Sequence, residues 1–253
     1  MTKAVVLAAG RGSRLGFLTR FRPKALMPVA GRALVAHVLD SLARAGIDEA
    51  VVVCGYRGDQ LEGALAEGTP LGVACVRNPE YEREASLSLA AAREACGNEP
   101  FLLVMGDHLF EPALVRRLLR AGESFSSMYV DRAPSLVAAD FGSWPADYVE
   151  EATKLEVDDA GRVGAIGKGL SRWDALDTGV FLCRPPVWEA VEAAGDAPLS
   201  AVFGRLAEEG QLVAADVTGC FWYDVDTADD LAAVEAELEE APRVAKRWPQ
   251  RWP

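Results

Sequence analysis

The sequence predicts an α/β fold with a mainly parallel central sheet, on three observations. Short β-branched runs alternate with longer stretches of helical period; one run, Phe101 to Met105, is apolar throughout; and 253 residues, half of them hydrophobic, are enough for a sizeable core. The run Ala4 to Ala8 reads as the first strand. Leu34 to Ala45 follows as a helix, with Leu34, Val35, Val38, Leu39 and Leu42 on one face, and Val51 to Cys54 completes a βαβ unit. The alternation continues with a helix near Arg57 to Ala66, a strand near Val73 to Val76, a helix near Ala85 to Cys96 and the buried strand Phe101 to Met105. The second half differs. Thr153 to Val157 and Arg162 to Ile166 flank an Asp-Asp-Ala-Gly turn and read as a hairpin added to the sheet. A strand near Val180 to Cys183 follows, then helices near Pro186 to Ala193 and Leu199 to Glu208, and strands near Leu212 to Ala215 and Phe221 to Val225. A last helix runs from Thr227 to about Glu239, capped by Thr227 with Asp229 and Asp230 in its first turn. Residues 1–240 are expected to form a single domain, and 241–253, basic and rich in Trp and Pro, a mobile tail.

Composition excludes several classes. Lysine plus arginine number 26 against 38 acids, a formal charge of −12, so salt-driven nucleic-acid binding is not expected. Five cysteines, without CxxC spacing, point to a reducing compartment and no zinc site. The first apolar stretch is short for a signal peptide, and no run reaches the length of a membrane span, so the expected location is cytoplasmic.

Charge is distributed unevenly. The first acid is Asp40, where simple proportion would put about six before it. Lys3, Arg11, Arg14, Arg20, Arg22, Lys24 and Arg32 occupy that stretch, five of them in the loop after the first strand beside Gly10, Gly12, Ser13 and Gly16. Glycines let backbone N–H groups approach a phosphate, and the bases supply countercharge, so this loop is the expected polyphosphate site. Neither GxGxxG nor a Walker loop fits, because Leu15 and Gly16 stand where those motifs need glycine and lysine.

Two carboxylate groups suit a divalent cation. Asp107 lies just past the apolar strand, where α/β folds present catalytic groups, and Mg²⁺ is commonly held by one or two carboxylates together with substrate phosphates. In FWYDVDT, Asp224 and Asp226 share a face of an extended chain; Asp226, just before the last helix, is the better ligand candidate. His108 is a candidate for a substrate hydroxyl, and His37 is expected to be structural.

LAAGRGSRLG followed by RPKALMPVAGRALVAHVL resembles the sugar-phosphate nucleotidyltransferases, with Gly10, Gly12, Ser13, Arg14, Pro23 and Lys24 at the matching places. MGDHLF, EATKLEVDDAGRVGAIGKGL, ALDTGVFL and FWYDVDTADDLAAVE narrow the resemblance to CTP:inositol-1-phosphate cytidylyltransferases, over roughly residues 3 to 238. The resemblance implies a Rossmann-like nucleotidyltransferase (GT-A-like) fold and transfer of CMP from CTP to a phosphorylated polyol, with Mg²⁺ bound by Asp107 and Asp226. It implies catalytic roles for Arg14, Lys24, Asp107 and Asp226. The nucleotide would lie on Leu7, Ala8, Ala9, Gly10, Gly12, Ser13, Arg14 and Lys24, with Arg57 and Ser86 near the base; Ser86 reads equally as a helix cap. The acceptor, a dianion rich in hydroxyls, would meet His108, Lys154, Lys168, Asp177, Thr178 and Gly179. Relatives can be fused to a membrane-embedded synthase, so the chain is expected to stand alone, as monomer or homodimer, or to work with such a partner. Other acceptors or bases stay open. Trp144, Trp173 and Trp222 leave room for the aromatic cage of a choline-phosphate acceptor, a phosphonate or a hexose 1-phosphate with UTP or dTTP is a further possibility, and a silent nucleotide-binding subunit is the rival of another class.

Overall fold

The computed structural model describes residues 3–128 and 133–240, so the tail expected at 241–253 lies outside the described residues. In chain order the elements are β1 (Lys3–Ala8), β2 (Pro28–Val29), β3 (Arg32–Ala33), α1 (Leu34–Ala45), β4 (Glu49–Cys54), α2 (Gly58–Ala66) and β5 (Gly72–Arg77). There follow α3 (Ala85–Ala91), α4 (Arg93–Cys96), β6 (Phe101–Met105), β7 (His108–Phe110), α5 (Pro112–Met128), β8 (Ser135–Asp140), α6 (Ala146–Glu151), β9 (Lys154–Val157) and β10 (Val163–Gly167). The chain continues through β11 (Ala175–Cys183), α7 (Val187–Ala194), α8 (Leu199–Glu208), β12 (Leu212–Asp216), β13 (Trp222–Asp224) and α9 (Ala228–Glu240).

The mixed sheet has β5, β4, β1 and β6 side by side and parallel, from the edge strand β5 inward. After β5 the chain returns to the other side of β1. The direction of strand addition therefore reverses at β1 and opens a crevice at the carboxyl ends of β1 and β6, where open α/β sheets bind ligands. Antiparallel to β6 runs β11, which also pairs with β8 and with the β9–β10 hairpin, the added hairpin that the sequence predicts.

Both faces of the sheet are covered, as its apolar strands require. Val6, Leu102 and Val104 pack under α1, α2 and α5 with Leu39 and Leu61, while Val5, Leu7 and Leu103 face Leu89, Trp188 and Phe203. A third cluster joins Leu15 of the glycine loop to Met27, Leu109, Val225 and the α9 residues Val234 and Leu238. All five cysteines are free.

Several elements differ from the sequence reading. The predicted helix near Ala85 to Cys96 is broken at Ala92, whose N–H bonds the Leu89 carbonyl three residues back and tightens the turn. The strand expected at Val180 to Cys183 begins at Ala175, because Ala175 and Leu176 find partners on β9 and β8 beyond a bulge between Asp177 and Phe181. Helix α5 was not expected: its apolar residues Leu114, Val115 and Leu118 are diluted by Gly122 and a serine-rich end. Nor was β8, whose alanines carry little strand preference of their own and whose pairing with β11 and β12 decides its conformation.

Candidate active site

The crevice is built from three short segments. The first is the loop after β1. Gly12 has φ 68° and ψ 49°, and a Cβ there would stand 2.8 Å from the Cβ of Lys24, so only glycine lets the lysine stem pass. Thr19 Oγ1 donates to the Gly12 carbonyl at 3.0 Å and pins the turn, leaving Gly10, Ser13 and Arg14 exposed. The second segment places Lys24, through the extended Pro23, at the start of a short 3₁₀ turn, where its side chain is buried.

The third is the ladder of β7 and β13. His108 pairs with Asp224, Leu109 with Tyr223 and Phe110 with Trp222, and the Val225 N–H bonds the Asp107 carbonyl at 3.2 Å. This ladder brings Asp107 beside the late acids. Lys24 Nζ donates to Asp107 Oδ2 and Asp226 Oδ1, each at 2.6 Å, and Arg14 Nη2 lies 2.7 Å from Asp226 Oδ2. Thr227 and Asp230 form a reciprocal cap. The Asp230 N–H donates to Thr227 Oγ1, and Asp230 Oδ2 accepts from the N–H groups of Thr227 and Asp226 at 2.7 and 3.0 Å, which fixes the Asp226 backbone.

Electrostatics follow from this geometry. Burial disfavours the Lys24 ammonium, yet Asp107, Asp226 and Asp224 together hold its pKa above the ordinary value, so it stays charged. Burial likewise opposes the His108 imidazolium, but Asp224, Asp107 and the Thr178 carbonyl push its pKa up to about 10. Its Nε2 lies 3.2 Å from Asp224 Oδ1 and its Nδ1 2.9 Å from the Thr178 oxygen. Despite burial, Asp224 is held below the usual carboxylate range by His108, whereas burial and then Asp224 push Asp226 up.

The donor set fits a divalent cation. Single ligand atoms of Asp107, His108 and Asp224 lie within 4.8 Å of one another. Asp224 Oδ1, shielded from solvent, faces the protonated His108 at 3.2 Å, so the hard oxygen donors that Mg²⁺ takes come from the carboxylates and not from the imidazole. The sequence reading paired Asp107 with Asp226. In the structure those two share Lys24, and Asp224 completes the cluster.

A cavity of ≈ 840 Å³ opens from these acids, with Lys168, Asp177 and Gly179 among its lining residues. Burial raises the Asp177 pKa to about 6 against the opposing Gly179 N–H and His108. Other expected acceptor residues are engaged elsewhere. Lys154, buried, gives its ammonium to the carbonyls of Lys168, Ala152 and Glu150 at 2.8, 3.3 and 3.5 Å, and Thr178 Oγ1 donates to Ala138 at 2.9 Å.

On the base side the Leu7 and Ala9 carbonyls accept from Gly106 and Tyr56, and Ala8 pairs with Cys54 in the sheet. Arg57, in a left-handed conformation, donates to the Arg20 carbonyl at 3.0 Å. The fully buried Ser86 hydroxyl donates to Gly195 at 2.6 Å and accepts from the Ala197 N–H at 3.0 Å; it holds the loop before α8 and neither caps α3 nor faces the crevice. Of the three tryptophans that the sequence reading kept for an acceptor, Trp144 and Trp222 line this cavity and Trp173 does not; what it missed are Tyr148 and Tyr223 beside them, the former signalled by its four-residue spacing from Trp144.

A crevice at the switch point of an α/β sheet, combining a glycine loop and fixed cations with clustered carboxylates, is built for polyphosphate chemistry and places the protein among nucleotidyltransferases. Comparison with known proteins agrees. Residues 4–163 match the family model of the MobA-like NTP transferase domain. The chain is 41% identical over 238 residues to the bifunctional IPC transferase and DIPP synthase of Rubrobacter xylanophilus, covering 92% of this chain and 51% of that one. It is 30% identical to the N-acetylmuramate alpha-1-phosphate uridylyltransferase of Neisseria meningitidis serogroup B, over 97% and 99% of the two chains. The inositol-1-phosphate CTP transferase from T. maritima has a similar fold, with a TM-score of 0.76 at 26% identity and 96% coverage of each chain. The chain belongs to the MobA-like NTP transferase family and is a nucleotidyltransferase, as its motifs led one to expect. It spans about half the length of the bifunctional relatives that it matches.

Proposed function

We propose that residues 1–240 transfer CMP from CTP to inositol 1-phosphate and release pyrophosphate. The observation that carries this reading is the meeting of Asp107, Asp224 and Asp226 with Lys24 and Arg14 beside the glycine loop, at the mouth of a cavity lined by Lys168 and Asp177. Similarity to about half the length of the bifunctional IPC transferases and DIPP synthases, and to the inositol-1-phosphate CTP transferase from T. maritima, supports the base and the acceptor.

In this reading, amides of the Gly10–Gly12 loop and Arg14 hold the triphosphate. Lys24, kept charged and immobile by its two carboxylates, faces the negative charge that grows during transfer. Asp107, with Asp224 or Asp226, would hold a divalent cation such as Mg²⁺, which supplies charge neutralisation at the α-phosphate. An oxygen of the acceptor phosphate attacks the α-phosphorus and the bond to pyrophosphate breaks; being an anion already, the acceptor needs no general base. Lys168 and Asp177 orient it through its phosphate and hydroxyls. Among the described residues no helix is long and apolar enough to cross a membrane.

The test is pyrophosphate release with Mg²⁺ from CTP, UTP, dTTP, ATP and GTP, each with inositol 1-phosphate, glucose 1-phosphate, phosphocholine and an aminoalkylphosphonate. Turnover concentrated in CTP with inositol 1-phosphate, reduced about 10²- to 10³-fold by Asp107→Asn, is the expected result. Preference for another pair would overturn the assignment of base or acceptor, and undiminished turnover in Asp107→Asn would overturn the role of that carboxylate.

A further inference from the structure

Four aromatic rings stand together on the cavity that opens from the catalytic acids. Trp144 stacks on Tyr148 with centroids 4.8 Å apart and planes at 22°, and meets Trp222 at 4.8 Å. Tyr148 also contacts Trp222 at 5.9 Å and Tyr223 at 5.6 Å. All four line the same cavity as Lys168, Asp177, Asp147 and Asp230. The group is held in place: Trp222 Nε1 donates to Asp140 at 2.8 Å, and the Tyr148 hydroxyl accepts from the Asp224 N–H at 3.4 Å. The rings thus come from α6, the turn before it, and the strand that carries Asp224.

Rings packed on one another differ from a cation cage. A cage needs faces set around a central space, and rings in mutual contact at these separations leave no room for an ammonium between them. They present a continuous apolar wall. Next to it are carboxylates, which accept hydrogen bonds from vicinal hydroxyls, and a lysine, which suits a phosphate. A ring polyol has these complementary parts: an apolar face of C–H bonds, hydroxyls at its edge and, once phosphorylated, a dianion.

We propose that the wall of Trp144, Tyr148 and Tyr223 is the platform on which the C–H face of a phosphorylated ring polyol stacks, and that it sets acceptor selectivity. This rests on the cytidylyltransferase reading and names the specificity element within it. Because Tyr148 also bonds the backbone of Asp224, the platform is in register with the reacting groups. Acyclic polyol phosphates lack the flat face and should be poor acceptors.

The experiment is steady-state kinetics with CTP and Mg²⁺ for the unaltered protein, Trp144→Leu, Tyr148→Leu and Tyr148→Phe, with inositol 1-phosphate, glucose 1-phosphate, glycerol 3-phosphate and phosphocholine as acceptors. Melting curves are recorded in parallel. The expected result is a KM for inositol 1-phosphate raised at least tenfold in both leucine variants, with KM for CTP within twofold, and a smaller rise in Tyr148→Phe, which keeps the ring and loses only the bond to Asp224. Unchanged acceptor KM, or an equal rise in KM for CTP, overturns the platform. If inositol 1-phosphate is not used but glucose 1-phosphate is, with the same response to Tyr148→Leu, the platform stands and the acceptor assignment falls. Turnover only of glycerol 3-phosphate or phosphocholine overturns both. Should Trp144→Leu fail to fold, Tyr148→Leu on the half-exposed α6 carries the test.

Discussion

Gly179 shows how much one missing side chain can decide. Its φ is +73°, and a Cβ would stand 2.0 Å from His108 Nδ1, so the imidazole that neutralises Asp224 occupies space that only glycine leaves free. Gly179→Ala should cost about 3 kcal/mol in urea unfolding, from the left-handed backbone and the clash together. Combining it with His108→Ala should return part of that loss, and strict additivity in the double variant would show that the two do not compete for the space. Ser86 makes the opposite point, because its residue type suggested contact with a base while its hydrogen bonds go to the loop at Gly195 and Ala197. Ser86→Ala should lower stability by about 2 kcal/mol and leave KM for CTP within twofold. A tenfold rise in that KM would put the serine back on the nucleotide.

At the level of elements, the two strands β7 and β13 have three residues each, yet their pairing joins the middle of the chain to its late segment. Helix α9 then holds Asp226 through the cap formed by Thr227 and Asp230. Losing a cap of this kind costs about 1 kcal/mol in stability, and Thr227→Ala should show that in its melting curve. Activity should fall further, about tenfold in kcat/KM, because the same hydrogen bonds fix a carboxylate that meets Lys24 and Arg14. Full activity in a measurably destabilised Thr227→Ala would separate the cap from the site. The aromatic wall is also an element-level feature, since α6 supplies Tyr148 and β13 supplies Trp222 and Tyr223.

For the whole molecule, buried titratable groups shape the dependence of stability on pH. His37, packed in α1 with Nε2 2.9 Å from the Val29 carbonyl, has its pKa lowered by burial to about 4. The unfolded chain therefore binds the proton more readily than the folded one, so stability is lost as pH falls from about 6.5 to 4, by up to about 3 kcal/mol from this group. Asp177 has the opposite sign. Its folded pKa, about 6, exceeds the unfolded value, so the folded state gains relative stability over part of that range as pH falls. The clean measurement is thus the difference in unfolding free energy between the unaltered protein and His37→Gln at pH 7 and pH 4.5; a pH-independent difference would show that His37 is not neutral in the fold. On the alkaline side, the His108 contribution is fully present below about pH 6.5 and lost as pH rises through about 10.

What the sequence determined by itself was local and periodic. The alternation of strand and helix, the face of α1, the position of Asp107 just beyond a buried strand and the cap at Thr227 all follow from short-range pattern. The acid-free glycine loop was legible for the same reason, since composition over forty residues carries it. Only the tertiary structure decided which groups meet. That Lys24 bridges Asp107 and Asp226, that Asp224 pairs with His108, and that Lys154 and Ser86 spend their polar atoms on backbone groups all depend on partners distant in the chain. A polar side chain's partner is set by which backbone and charged groups are buried beside it. That burial arises when β11, β13 and the β9–β10 hairpin close around the end of β6, a non-local event that no spacing in the sequence records.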